Sequence, residues 1–467
     1  MKTIKLFFSF IALFFTLTSS AQLSQWWISA ADGNPGSKIA TDQWDNVYTT
    51  VTSAGLVFAT GDTALAQGSS VFVYKQNSAG NLVWVKSFSA LINGAGSGAI
   101  KTDANGFIYI TGGGASMQLD SFIVNGSFIA KLNPANGNVI WAKPMPGACS
   151  DIDFDASGDI YSTFHSNSSA YFDTVWVVNN WGVGKGVGVG KMDNNGKVQW
   201  VKIYHALGAT DNATAIAVNS AAGKVAFTGY FTSSLDVNGT MLTSTPQTTY
   251  IVELNTVNGS NSLVKKAGGK VAEDLLYDNY GNILQTGSFK GTSIFGSISL
   301  TSKGNNDIFI SKWSAAGAIQ FVKQIGGTGA NSQNMLAGAI GVDGFNNIFL
   351  GGRMCETNIM DADTLTAEGA SDAFLVKYNN SGVLQWAQPF HGNGGWEAIE
   401  DMKVKSDGNI FITGRFDYNY IHLSNDSVYS VCNCNTTNVF TAKLAGYANK
   451  ISGHLFVDFN SRSKSVV

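Results

Sequence analysis

Nothing limits the fold of this 467-residue chain more than its repetition. A β-rich phrase returns seven times, as "DNVYTTV" from Asp45, "NGFIYITG" from Asn105 and "DGNIFITG" from Asp407, among others. The matching apolar positions are Val47, Ile108, Ile160, Val225, Ile283, Ile348 and Ile410, 52 to 65 residues apart, and we number the repeat units 1 to 7 after them. A second phrase stands between the copies, as in "FVYKQNSAGNLVWVK" from Phe72 and "FLVKYNNSGVLQWAQ" from Phe374. It reads as two strands around an Asn/Gly turn, the signature of a hairpin. A unit of this kind buries its apolar faces only against its neighbours.

Each unit accounts for four strands, which in unit 2 are expected over residues 98–103, 107–112, 128–132 and 139–143. A helical period appears nowhere beyond the first 21 residues. The predicted fold is all-β: a seven-bladed β-propeller of four-stranded antiparallel blades over residues 22–445. Asp42, Asp103, Asp155, Asp278 and Asp343 each stand five residues before the reference position, where an aspartate caps its own turn. Unit 7 lacks a fourth strand after Leu444, while "QLSQWWIS", residues 22–29, is a strand with no partner nearby. The N-terminal strand is therefore expected to join the C-terminal blade and close the ring, removing an open edge. Trp26 or Trp27 would then take the place that Trp84, Trp141, Trp200 and Trp386 hold elsewhere.

The first 21 residues carry an export pattern: Lys2 and Lys5, an apolar run from Leu6 to Leu17, and small residues up to Ala21. A signal peptide cleaved near Ala21 and a secreted or cell-surface protein are expected. No later apolar run is long enough to span a membrane. A net charge of -3 with 29 Lys plus Arg argues against a nucleic-acid partner. Four cysteines, Cys149, Cys355, Cys432 and Cys434, are too few and too scattered for a disulfide framework.

With "D-x-x-G-N-I-Y-x-T-G", "D-x-F-x-x-K" and "G-x-x-x-W-x-K" alternating along residues 22–445, the chain resembles the SBBP-type β-propeller repeats of exported bacterial proteins. The resemblance implies a scaffold and transfers no catalytic signature. Such relatives commonly continue into immunoglobulin-like modules and a signal for type IX secretion. Residues 446–467, with "ISGHLFVDFN", resemble the start of such a module.

Among residues that could carry chemistry, Asp151, Asp274 and Asp401 recur four residues before the turn position of their units, on the expected innermost strand. Facing the axis, they would form a partial acidic ring for a cation or a basic group. Bonding to backbone groups of neighbouring blades is the structural alternative. "DIDFDASGD" from Asp151 has Ala156 where a Ca²⁺ loop needs glycine, and "GVGKGVGVGK" lacks the Ser or Thr and the helix of a phosphate loop. No metal or cofactor is expected. Two loops preceding inner strands offer exposed aromatic and polar groups suited to a sugar or a peptide: one with Tyr204 and His205, and one with His391, Trp396 and Glu397. The leading expectation is a monomeric binding scaffold for an extracellular protein or glycan. The alternative is a propeller enzyme, polysaccharide-active or quinoprotein-like, with its site in the central channel.

Overall fold

The computed structural model describes residues 24–445 apart from residues 33–36, 59–62, 93, 180–184, 209–210, 328–334, 362, 393–394, 418–419, 424–425 and 431–436. The expected signal peptide, the tail 446–467, Cys432 and Cys434, and the side chains of Trp26 and Trp27 lie outside what is described. Almost every other residue is in a strand or a turn between strands. The helical turn Ser220–Ala222 is capped by the Asn219 side chain and ended by Gly223 in the left-handed region. Among the described residues no helix is long and apolar enough to cross a membrane.

Antiparallel pairing follows chain order within a unit. In unit 3, Ala148–Phe154 pairs with Ile160–Ser166, which pairs with Lys185–Met192, which pairs with Val198–Ala206. Unit 6 forms a separate four-stranded sheet, whereas units 1 and 2 share an eight-stranded sheet and units 3 and 4 another. The joins are short, such as His205 and Ala206 of unit 3 opposite Asp236 and Leu235 of unit 4. The innermost strands are Lys38–Thr41, Gly96–Thr102, Ala148–Phe154, Asn212–Asn219, Val271–Tyr277, Leu336–Val342 and Ala398–Val404. Each lies beside the next, and the last lies beside the first. A series of sheets that closes on itself around its inner strands is a β-propeller.

The orphan strand completes the last sheet. Ser24–Asp32 pairs with Thr437–Ala445, which pairs on its other side with Asn409–Asp417. Trp27 stands opposite Lys443, the register in which Trp84, Trp141, Trp200 and Trp386 stand opposite Lys75, Lys131, Lys191 and Lys377. The irregularity between Gln25 and Trp27 repeats the one between Leu82 and Trp84.

The second and third strands run further than expected. In unit 2 they are Ile108–Leu119 and Phe122–Leu132, one continuous hairpin. Units 3, 5 and 7 carry the same extension as a separate small hairpin, Ala170–Phe172 with Val175–Val177 in unit 3, while that of unit 6, Thr357–Met360 with Asp363–Thr366, pairs with the outer strand of unit 5. The tips turn at Asp120, Asp173, Asn238 and Asp361, with φ between 48° and 53°. Asp and Asn tolerate that left-handed conformation, so the signal was present in the sequence as isolated Asp and Asn residues.

The repeated turn residues lock each unit internally. Asp42 accepts from the backbone N–H of Trp44 at 2.9 Å and of Asn46 at 3.0 Å, and from the Tyr48 hydroxyl at 2.9 Å. Asp103 with Tyr109 and Asp155 with Tyr161 repeat the arrangement. A lysine from the third strand neutralises the turn: Lys312 reaches Asp278 at 2.9 Å, with both side chains almost fully buried. Unit 4 has Ser220 in place of the turn aspartate, and at the register position of that lysine it has Glu253. Without the aspartate a buried lysine would lack its counter-charge. Glu253 instead accepts from the Tyr277 hydroxyl of unit 5 at 2.8 Å.

Neighbouring units dock through the hairpin turns. The Trp84 indole N–H donates to the Pro134 carbonyl at 3.1 Å and that of Trp200 to Thr256 at 3.1 Å. Gly137 and Gly259, both at positive φ, lie against those rings. A Cβ on Gly137 would stand 2.8 Å from Trp84, so glycine is needed for its conformation and for the close approach.

Candidate functional site

The inner strands are sheet edges, and their channel-facing amides have no ladder partner. Lys38, Asp151, Ala215, Asp274, Ala339 and Asp401 hold one register position on these strands, and Ala99 the corresponding place beside Ile100. The aspartates fall on units 3, 5 and 7, alternating with alanines. Each uses both carboxylate oxygens on backbone N–H groups. Asp151 accepts from Ile152 at 2.9 Å and from Ile216 of unit 4 at 3.2 Å. Asp274 accepts from Leu275 at 2.7 Å and from Ile340 of unit 6 at 3.0 Å. Asp401 accepts from Met402 at 2.9 Å and from Ile39 of unit 1 at 2.9 Å. One aspartate thus serves two units; Ala215 and Ala339 leave room for the carboxylates of Asp151 and Asp274, whereas Asp401 bridges to the strand that carries Lys38.

The channel is not the acidic ring that these three residues alone suggested. Lys38, Lys101 and Lys403 come from units 1, 2 and 7, and with Asp153, Glu273 and the three aspartates they line one cavity of about 230 Å³. Burial works against the Lys38 charge, but Asp401, Asp274, Asp151 and Glu400 together raise its pKa. Lys101 is raised likewise, chiefly by Asp151, whose carboxylate is 3.5 Å away. Burial, reinforced by the Asp151 carboxylate, pushes Asp274 up to about 6. Glu273 rises to about 7 through burial, against a partial offset from Lys38. Lys403, open to the channel, moves the other way, lowered by the protein packed around the channel and then by the Lys101 ammonium, against Asp153, Asp401 and Asp151. Among the described residues neither Glu273 nor Lys403 has a hydrogen-bond or ion-pair partner.

The remaining candidates lie apart from the channel. Tyr204 is a core residue, stacked on Phe227 with ring centroids 5.9 Å apart. His205 is half-buried next to it, and both belong to the outer strand Val198–Ala206 rather than to a loop. His391 Nδ1 sits 2.6 Å from the buried Asp372 carboxylate. Trp396, 40% exposed, has the Arg353 guanidinium 4.9 Å from its ring centre. Glu397 is buried, and its carboxyl is pushed up to about 8 by burial and then by Asp372 and Asp417, against the backbone N–H groups of Glu397 and Asp417. His391, Trp396 and Glu397 thus share one corner between units 6 and 7, with Trp396 exposed as an aromatic platform, His391 half-buried and Glu397 enclosed. Among the described residues no group of three or more His, Cys, Asp or Glu side chains is disposed to hold a metal ion.

Sequence reasoning missed the lysines, Glu273 and one surface feature. Aligning the inner strands by register would have exposed the lysines, since Lys38 falls where Asp151, Asp274 and Asp401 do. The surface feature is in the small hairpin of unit 3. Tyr171 and Trp176 stand directly opposite each other, 54% and 53% exposed, with ring centroids 4.8 Å apart at 63°. The equivalent pairs elsewhere are Gln118 with Ile123, Asp236 with Met241, Ile294 with Ser299 and Ile359 with Thr364. In unit 7 the equivalent pair is His422 with Ser427, and further along that hairpin a half-buried Tyr420 stands opposite the exposed Tyr429 with ring centroids 6.0 Å apart, so unit 3 is set apart by a closer pair in which both rings are exposed.

No family model and no curated protein matches the chain. Solved structures do. It is similar to the propeller of Dos1, at 9% identity and TM-score 0.46 over 90% of this chain and 95% of that one. It is similar to a chain of the mitotic checkpoint complex, at 10% identity and 0.48 over 96% and 99%. A third is the quinohemoprotein alcohol dehydrogenase from Comamonas testosteroni, at 12% identity and 0.44 over 94% and 79%. At these values the likeness carries no argument about activity or ligand.

Proposed function

We propose that this is an exported, seven-bladed β-propeller with four strands to a blade, working without catalysis as a monomeric binding scaffold for an extracellular protein or glycan. The blade number is supported by the seven repeats and by the unbroken succession of inner strands. Export rests on the pattern of residues 1–21, and the SBBP-type assignment on the repeated phrases quoted above. The observation that carries the binding role is the exposed Tyr171–Trp176 pair on a hairpin held by the rigid ring. Two rings at an angle offer apolar contact to a sugar face or to an apolar side chain at small entropic cost. The Lys143–Asp173 ion pair at 2.9 Å anchors the hairpin to unit 2. The test is a glycan array and a surface-protein binding screen with the protein and with Tyr171→Ala/Trp176→Ala. Binding lost in the variant at unchanged melting temperature supports the reading. Equal binding by both proteins defeats it.

A channel enzyme is the second reading, favoured by the adjacent Glu273 and Asp274 carboxyls, held at about 7 and about 6. Such values suit general acid–base work at neutral pH. Both oxygens of Asp274 are already held by backbone N–H groups, which speaks for a structural role. Turnover of a polysaccharide that Glu273→Gln abolishes would put this reading first.

A further inference from the structure

The channel holds two charges of opposite sign that nothing in the described residues neutralises directly. Lys403 belongs to unit 7, at the register level that also carries Lys101 in unit 2, with the small Ala40 of unit 1 between them. Glu273 belongs to unit 5, at the irregularity between Ala272 and Asp274, three residues before Leu276, which shares the level of Lys403. At about 3.3 Å per residue the two levels lie on the order of 10 Å apart along the channel. Both side chains line the same cavity. No hydrogen bond or ion pair joins them, and the carboxylates nearest the lysines are already engaged with backbone N–H groups, Asp151 also lying 3.5 Å from Lys101.

We propose that the channel is a binding site for a short peptide with free termini, the carboxylate held by Lys403 and Lys101 and the ammonium by Glu273. The separation selects the ligand class. A single α-amino acid is too short to span the two levels, whereas an extended chain advances about 3.3–3.6 Å per residue, so two or three residues fit. A simple anion would meet Asp153 beside Lys101, and a simple cation would meet Lys38 beside the aspartates, so neither alone matches the mixed walls. Lys403 and Glu273 each lack an ion-pair partner among the described residues, and the two ends of such a peptide would supply one to each. The site is independent of the Tyr171–Trp176 hairpin.

Calorimetric titration at pH 8 with triglycine, N-acetyl-triglycine and triglycinamide tests the proposal on the folded protein. Triglycine is expected to bind, and blocking either terminus should weaken binding by about tenfold or more, the equivalent of roughly 1.4 kcal/mol. In Lys403→Ala, where Lys101 alone remains to hold the carboxylate, the preference for the free acid over the amide should shrink several-fold, and in Glu273→Gln the acetylated and free peptides should bind alike. Neither side chain has a hydrogen-bond or ion-pair partner among the described residues, so both variants should keep the wild-type melting temperature within a few degrees. No heat with triglycine at millimolar concentration, equal binding of blocked and free peptides, or variants that discriminate as the wild type does would each overturn it. Loss of glycan or protein binding by the hairpin variant with triglycine binding intact would separate the two sites.

Discussion

At the residue scale, the molecule solves one problem repeatedly: how to satisfy amides on strand edges that face a channel. Asp401 is the clearest case, because it joins Met402 of its own strand to Ile39 at the other end of the chain. Asp401→Ala should destabilise the protein by roughly 2–5 kcal/mol, as two N–H groups lose a charged acceptor, with Asp401→Asn intermediate. Chemical denaturation would measure this, and an alanine variant as stable as the wild type would show that water replaces the carboxylate. Glu397 poses the opposite problem, a carboxyl in a place that disfavours its charge. It stays protonated in the fold up to about 8, while an unfolded glutamate ionises near 4.5. Its stabilising contribution is therefore full below about pH 4.5 and lost as pH rises through about 8. Glu397→Gln should remove that loss, leaving the variant more stable than the wild type at pH 9 by roughly 2–5 kcal/mol at about 1.4 kcal/mol per pKa unit. Parallel melting curves from pH 5 to pH 9 would test it, and curves that never converge or cross would count against the assignment.

Elements matter here less as single strands than as edges and turns. The strand Ser24–Asp32 covers the outer edge of Thr437–Ala445, which would otherwise present a row of unpaired amides. A chain starting at residue 37 should melt at least several degrees lower and associate through that edge, read by calorimetry and by light scattering. A monomeric truncated chain with an unchanged melting temperature would refute the role of this strand. The small hairpins are a second kind of element. In units 2 to 6 their tips carry an Asp, Asn or Gly at positive φ, and their exposed faces vary from unit to unit while the ring beneath them does not. Variation in the aromatic content of these faces is where binding would be gained or lost without disturbing the core.

For the whole molecule, closure between chain ends means that the break in the ring is arbitrary. Ser24 stands opposite Ala445 across a pair whose equivalent in unit 1 is closed by the turn at residues 77–81. A permuted chain beginning at Ser37, with residues 24–32 attached behind Ala445 by an Asn/Gly turn of that kind, should fold to the same ring. It should be as stable as the parent or more so, since the closing hairpin becomes local and its loop-closure cost falls. Denaturation midpoints compare the two, and a permuted chain that failed to fold would show that the N-terminal strand acts through something other than this pairing.

The sequence by itself determined the repeat, the all-β class, the capped turns and the partner of the orphan strand. All of these follow from local chemistry: alternating apolar residues, Asp and Gly at fixed offsets, and one strand too few in unit 7. Asp151, Asp274 and Asp401 were legible as a recurring position, but not as clasps between units, because their second acceptor bonds go to residues 65, 66 and 362 positions away. Tyr204 and Glu397 looked like surface groups beside loops, and the tertiary structure buried them. Only the closed ring decided which lysines stand among the aspartates and which opposite charges are left facing one cavity. Side-chain type repeats along a chain, but the electrostatic neighbours of a channel residue come from every unit at once.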